Sequence, residues 1–190
     1  MGRLRTFIAL DLGKALRERL VSLQNNLAKS IAGVKWVEPE NLHVTLLFLG
    51  EVDERELPAL CKAVEQAADS LPAFAITVGG AGCFPNPRRP HVLWAGLAAG
   101  AQEVCALHDA LEPPLLELGC YRREDRKYTP HVTLGRLRSE SAPSGFAAAL
   151  AKFETWEAGD TTVREVHVMS SQLTSQGPSY TVLSRAKLVG

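Results

Sequence analysis

Two tetrapeptides in this 190-residue chain are identical: His43-Val44-Thr45-Leu46 and His131-Val132-Thr133-Leu134. On an extended strand, residues i and i+2 point to the same face, so each copy sets an imidazole beside a hydroxyl and turns Val and Leu inward. A lone H-x-T on a strand is ordinarily a half-exposed pair satisfied by water. The chain has only five histidines, and two copies in identical contexts favour a shared site. Imidazoles titrate near neutrality, so one ring can take a proton from water while the other gives one to a leaving oxygen. Hydroxyls aimed at the same centre suit the non-bridging oxygens of a phosphodiester, on which charge grows as water attacks in line. This chemistry needs no metal or other cofactor, and no carboxylate cluster stands out in the sequence to hold a cation.

Four such side chains need a framework that repeats. Residues 4–10 read as a buried strand, and Leu16, Leu20, Leu23 and Leu27 recur at helical spacing between Lys14 and Lys29. Residues 35–37 are a short extended piece, and His43 opens a strand that runs to Leu49 and stops at Gly50. A second helix carries Leu57, Leu60, Val64 and Ala67, followed by a strand over 74–78 and a Gly/Pro-rich loop over 79–90. The second half repeats this order, with a strand at 92–95 and a helix through Val104, Leu107 and Leu111 that Pro113-Pro114 should break or kink. A strand over 131–137 and an Ala-rich helix near 145–153 follow. Residues 161–170 and 179–188 read as a closing strand pair joined by the turn Ser175-Gln176-Gly177-Pro178. A duplicated strand–helix–strand unit without a low-complexity linker implies two similar lobes related by an approximate two-fold axis, folded as one domain over 1–190.

Composition narrows the partners. Twenty-one basic and 21 acidic residues give a formal charge of zero, which argues against a polycationic face for extended duplex nucleic acid but leaves room for a small anionic ligand. No apolar run is long enough to span a membrane. Cys61, Cys83, Cys105 and Cys120 form no C-x-x-C and read as reduced, mostly buried thiols in a cytoplasmic protein. The first six residues fit a short myristoylation pattern, but Phe7-Ile8-Ala9-Leu10 continues at once as a core strand.

The stretch Trp36-Val37-Glu38-Pro39-Glu40-Asn41-Leu42-His43-Val44-Thr45-Leu46-Leu47-Phe48-Leu49-Gly50, taken with Thr129-Pro130-His131-Val132-Thr133-Leu134-Gly135-Arg136, resembles the two-histidine (2H) phosphoesterases. The similarity is to their RNA 2′,3′-cyclic phosphodiesterase branch, also called 2′-5′ RNA ligase or LigT-like. Cys83-Phe84-Pro85 and Arg89-Pro90-His91-Val92-Leu93-Trp94 extend the resemblance over nearly the whole chain. It implies a bilobal α+β fold with an antiparallel sheet and helices in each lobe, and an active-site cleft between the lobes. It also implies hydrolysis of a terminal 2′,3′-cyclic phosphate to a 2′-phosphomonoester. By the resemblance, His43 is the proton donor to the departing 3′ oxygen, His131 the proton acceptor from water, and Thr45 and Thr133 bind phosphate oxygens. Run backwards with a 5′-hydroxyl as nucleophile, the same site joins RNA ends 2′-5′.

Arg136 matches a basic position of the same motif. Strict alternation sends it to the face opposite His131 and Thr133 unless a bulge at Gly135 redirects it. By the same parity Phe48 reads as core, with stacking on a base as the alternative. His91, beside Arg88 and Arg89, suits either the mouth of a cleft or a solvated loop, while His108 reads as surface and His167 as structural. Residues 122–127 (RREDRK) and 136–138 (RLR) are mixed or short basic stretches, ordinarily solvated but placed to grip one or two phosphates of an RNA end. The expected partners are RNA ends or small cyclic nucleotides, on a monomer, with no extended duplex and no membrane. Rival readings are a cyclic phosphodiesterase acting on a small nucleotide such as ADP-ribose 1″,2″-cyclic phosphate, a non-catalytic RNA- or nucleotide-binding module, and a zinc hydrolase.

Overall fold

The computed structural model describes residues 2–139, 141–175 and 177–190. Apolar runs become strands and amphipathic stretches become helices in the order β1 (Arg3–Leu10), α1 (Gly13–Ala28), β2 (Val34–Trp36), a 3₁₀ turn (Pro39–Asn41), β3 (Val44–Asp53), α2 (Leu57–Ala68) and β4 (Phe74–Phe84). Then come β5 (Val92–Ala99), α3 (Ala101–Glu117), β6 (Val132–Leu137), α4 (Phe146–Ala151), β7 (Glu157–Val163), β8 (Glu165–Thr174) and β9 (Gly177–Lys187). The strands run β7-β4-β5-β6-β3-β1-β8-β9, with β2 added on β6, and all the ladders between them are antiparallel. This is an α+β fold with two four-stranded halves, β9-β8-β1-β3 and β6-β5-β4-β7. They meet at β3 and β6 through the one residue pair Val44–Val132.

The two sheet halves are not the two halves of the sequence. Strand β4 belongs to the first repeat but pairs with β5 and β7, while β8 returns from the second repeat to pair with β1. Helices cross over too: α1 packs on β7, whereas α2 and α3 pack on each other and over β8, β9 and β3. Their buried stripes (Leu16, Leu20, Leu23 and Leu27 in α1; Leu60 and Val64 in α2; Leu107, Leu111 and Leu115 in α3) join one core with the inward residues of the sheet.

Three local expectations are corrected. The 79–90 loop is strand through Phe84, because Gly82 and Gly96 leave room for the Trp94 indole; a Cβ at Gly82 would fall inside that ring. Helix α3 continues through Pro113 and Pro114. Buried Leu111 and Leu115 on either side keep it packed, and Leu118 N–H still reaches the Pro114 carbonyl at 3.1 Å. The closing pair is three strands, since the chain leaves one sheet half at Val163, paired with Phe74, and enters the other at Glu165, paired with Lys187. Gln176 of the expected turn lies outside the described residues. Among the described residues, no helix is long and apolar enough to cross a membrane, and all four cysteines are free thiols.

One buried polar side chain ties helix to sheet. Gln24 of α1 donates both hydrogen bonds of its amide, to the carbonyls of Val37 and Leu134, each at 2.8 Å. Replacing it with Leu keeps the bulk but strands the Val37 carbonyl and leaves the Leu134 carbonyl with only Val37 N–H, so Gln24→Leu should cost about 1–3 kcal/mol. Urea denaturation should register this as a lower midpoint; an unchanged midpoint would show the bonds to be dispensable.

Candidate functional site

Val44 and Val132 are fully buried, so their neighbours on each strand must emerge on the opposite face of the sheet. Because the pairing is antiparallel, His43 lies on the Thr133 side of the junction and Thr45 on the His131 side. The sheet therefore presents four side chains on one face as two crossed imidazole–hydroxyl couples. His43 borders a depression of about 910 Å³ that also contains Tyr180, Asp11 and Arg17. Thr45, Thr133 and His131 border a second, of about 820 Å³, with Phe48 and Arg136.

Two matching bulges extend this face. In β3, Ile8 pairs with Leu47 and Ala9 with Thr45, leaving Leu46 as the extra residue. In β6, Leu93 pairs with Gly135 and Trp94 with Thr133, leaving Leu134 extra. A bulge reverses the alternation beyond it. Phe48 is therefore not core, as simple parity had it, but 55% exposed, and its equivalent in the second motif is Arg136. The bulge that redirects Arg136 falls one residue before Gly135. Gly135 itself is needed for the close approach of β2, since a Cβ there would stand 2.6 Å from Val34. The carbonyl at the second bulge is held by Val37 N–H at 2.9 Å and by Gln24.

Both rings are oriented from behind. Nδ1–H of His43 donates to the Asn41 carbonyl and that of His131 to the Thr129 carbonyl, each at 2.7 Å. This leaves Nε2 of each neutral ring as the acceptor. They differ in what Nε2 meets: the Thr45 hydroxyl donates to His43 at 2.9 Å, while His131 Nε2 has no protein partner among the described residues. Asn41 is itself fixed, its amide donating to the Pro178 carbonyl at 2.8 Å. The Tyr128 hydroxyl donates to the Thr45 carbonyl at 2.8 Å. Around His43, Phe7 packs at 5.1 Å and Tyr180 edge-on at 5.5 Å; Phe84 meets His131 edge-on at 5.0 Å. Sequence reasoning missed Asn41, Tyr128 and Tyr180, because nothing local tells that they reach the motifs.

Burial pushes both imidazoles below their ordinary value of 6.5, and the Nδ1 bond to a backbone carbonyl opposes it in each case. The charge of His131 further lowers His43, so the two rings sense one another across the junction, and Arg136 further lowers His131. The remaining histidines line the same two depressions, His167 with His43 and His91 and His108 with His131. His91 is exposed on the rim of the second depression. His108 is not a free surface residue: it stacks on Tyr128 at 4.1 Å and bonds Asp109 at 2.9 Å. His167 is buried and bonded to Glu165 at 2.6 Å. Among the described residues, no group of three or more His, Cys, Asp or Glu is placed to hold a metal ion.

Doubled imidazole–hydroxyl couples on paired strands of a pseudo-symmetric sheet define a class of phosphoesterases, and comparison with known proteins agrees. The family described as LigT like Phosphoesterase matches residues 10–94 and again 97–180, once in each repeat. The chain belongs to this family. It is 36% identical over 179 residues to the RNA 2′,3′-cyclic phosphodiesterase of Methanothermobacter thermautotrophicus, covering 94% of this chain and 96% of that one. It is similar in structure to TT0787 of Thermus thermophilus, with a TM-score of 0.82 and 30% identity over 98% of this chain and 99% of that one. It is also similar to E. coli LigT complexed with 3′-AMP, with a TM-score of 0.80 and 26% identity over 99% of each.

Lowered values mean that each ring sheds its proton in the folded protein before it would in the unfolded chain. As pH falls below 6.5 the unfolded chain takes up protons first, so stability drops through the window between that value and the folded-state values. NMR titration of the ligand-free protein should place both imidazole midpoints below 6.5. A midpoint at or above it for either ring would contradict the burial argument.

Proposed function

We propose that the chain hydrolyses RNA terminal 2′,3′-cyclic phosphates to 2′-phosphomonoesters, with His43 as the general acid and His131 as the general base. The observation that carries the reading is the single-face array of two imidazoles and two hydroxyls at the Val44–Val132 junction, in a chain whose full-length relatives bear that activity in their names. The open Nε2 lone pair of His131 takes a proton from water. The water oxygen bonds to phosphorus, the P–O3′ bond breaks, and His43 Nε2–H delivers a proton to the 3′ oxygen. Thr45, Thr133 and Arg136 face the non-bridging oxygens, where donors are worth most as charge develops.

Both rings favour the neutral form in the free protein, so the acid must acquire its proton on binding. A phosphate anion beside the rings supplies the opposite charge that favours an imidazolium. Protonation also reverses the His43–Thr45 bond: Nε2–H becomes the donor, and the Thr45 hydroxyl hydrogen is released to the phosphate. The exchange of strands and helices between the halves supports reading residues 1–190 as one two-lobed domain. All the site residues come from one chain, which supports a monomer, and the free cysteines fit a cytoplasmic protein.

Phosphorus NMR of a 2′,3′-cyclic-phosphate oligonucleotide in EDTA tests this directly, with the 2′-phosphomonoester as the expected product. His43→Ala and His131→Ala should each lower turnover by about 10²-fold or more. Thr45→Ala or Thr133→Ala should each remove about 3 kcal/mol of transition-state stabilisation. Wild-type rates in either histidine variant, or activity that depends on added metal, would overturn the assignment.

A further inference from the structure

The depression that His131 borders, about 820 Å³, is larger than one phosphate and its ribose need, and part of its lining comes from the loop 122–127. This loop is anchored at both ends. Tyr121 is buried, and Tyr128 is bonded to the Thr45 carbonyl at 2.8 Å, so the loop is tied to a motif residue rather than left to wander. In a chain of zero net charge, four cations (Arg123, Arg126, Lys127 and Arg136) line this cavity against two carboxylates, Glu112 and Glu124. Arg123 is committed to Glu112 at 2.6 Å, and Arg126 pairs only loosely with Glu124, at 3.6 Å. Lys127 has no carboxylate within ion-pair distance among the described residues. Phe48 lines the same cavity; its ring leans on Phe7 at 6.2 Å, yet it is 55% exposed, a large apolar face turned outward by the bulge at Leu46.

Cations spaced along a groove, with an aromatic face beside them, are what single-stranded nucleic acid requires: charges track the backbone and a ring stacks a base whatever its identity. We propose that this cavity seats the nucleotide next to the reacting end of an RNA strand. Lys127 and Arg126 hold its non-reacting phosphodiester and Phe48 stacks a base, which makes oligonucleotides better substrates than a cyclic mononucleotide. The proposal rests on the reading of the His43–His131 site as the place of phosphate hydrolysis. It adds a second, separate point of recognition on a loop that takes no part in the chemistry. Arg136 is shared: it lines this cavity and also acts electrostatically on His131.

The test compares kcat/KM for adenosine 2′,3′-cyclic phosphate with that for an RNA trinucleotide ending in the same group, in the wild type and in the double variant Arg126→Ala/Lys127→Ala. Both side chains are exposed, so the variant should fold. The wild type should prefer the trinucleotide by about tenfold or more at low salt, and the variant should lose most of that preference. The dependence of log(kcat/KM) on log salt for the trinucleotide should become shallower by about 0.7 for each cation–phosphate pair removed. Equal rates on both substrates in the wild type would overturn the subsite. So would a variant that slows both by the same factor, or faster turnover of ADP-ribose 1″,2″-cyclic phosphate than of the trinucleotide. Failure of the wild type to hydrolyse any cyclic phosphate would instead remove the catalytic reading, and the subsite with it.

Discussion

The junction of Val44 with Val132 is the contact on which the arrangement depends. It is the one residue pair through which the two sheet halves meet, and both valines are fully buried. Alternation then leaves their neighbours no choice of face: with the valines inside, His43, Thr45, His131 and Thr133 are outside together. Antiparallel pairing adds the crossing that sets each imidazole near the other motif's hydroxyl. An apolar pair thus does the geometric work for a polar site.

The site's electrical character follows from the same burial. Desolvation lowers both rings, and each is restrained from falling further by a backbone carbonyl that accepts its Nδ1–H. These carbonyls also select the tautomer, so that Nε2 carries the lone pair in both neutral rings. The difference between the rings is small and local: one Nε2 accepts from Thr45 and the other is open. In the proposed reaction that difference separates acid from base in a pair that the motifs alone make equivalent.

Matching bulges at Leu46 and Leu134 show how a duplicated framework acquires unlike functions. Each turns the residue two positions on to the site face, and the two positions differ: an aromatic in one half, a guanidinium in the other. The symmetry of the backbone is kept while the chemistry of the side chains is divided, with the arginine acting on His131 and Tyr180 electrostatically and the phenylalanine offering a stacking surface.

Much of this was legible in residue order. The H-x-T pairs, their spacing, the strand–helix repeat and the apolar stripes of α1 and α2 are carried by local patterns, because hydrophobic periodicity and i/i+2 geometry act within a few residues. What local pattern could not carry was anything that depends on a distant partner. Parity misplaced Phe48, because a bulge is defined by the strand alongside. Local pattern expects the prolines of α3 to break or kink it, and the helix is not broken because its leucines are rewarded by tertiary packing, on α2 above all. The exchange of β4 and β8 between sheet halves depends on pairing between distant strands, and Asn41, Tyr128 and Tyr180 reach the site only through the fold. The sequence by itself determined which side chains are the candidates for chemistry and that they come in pairs. Only the tertiary structure decided that the pairs share one face, which nitrogen of each ring a backbone carbonyl holds and what surrounds them, since these rest on contacts between residues as far apart as Gln24 and Leu134.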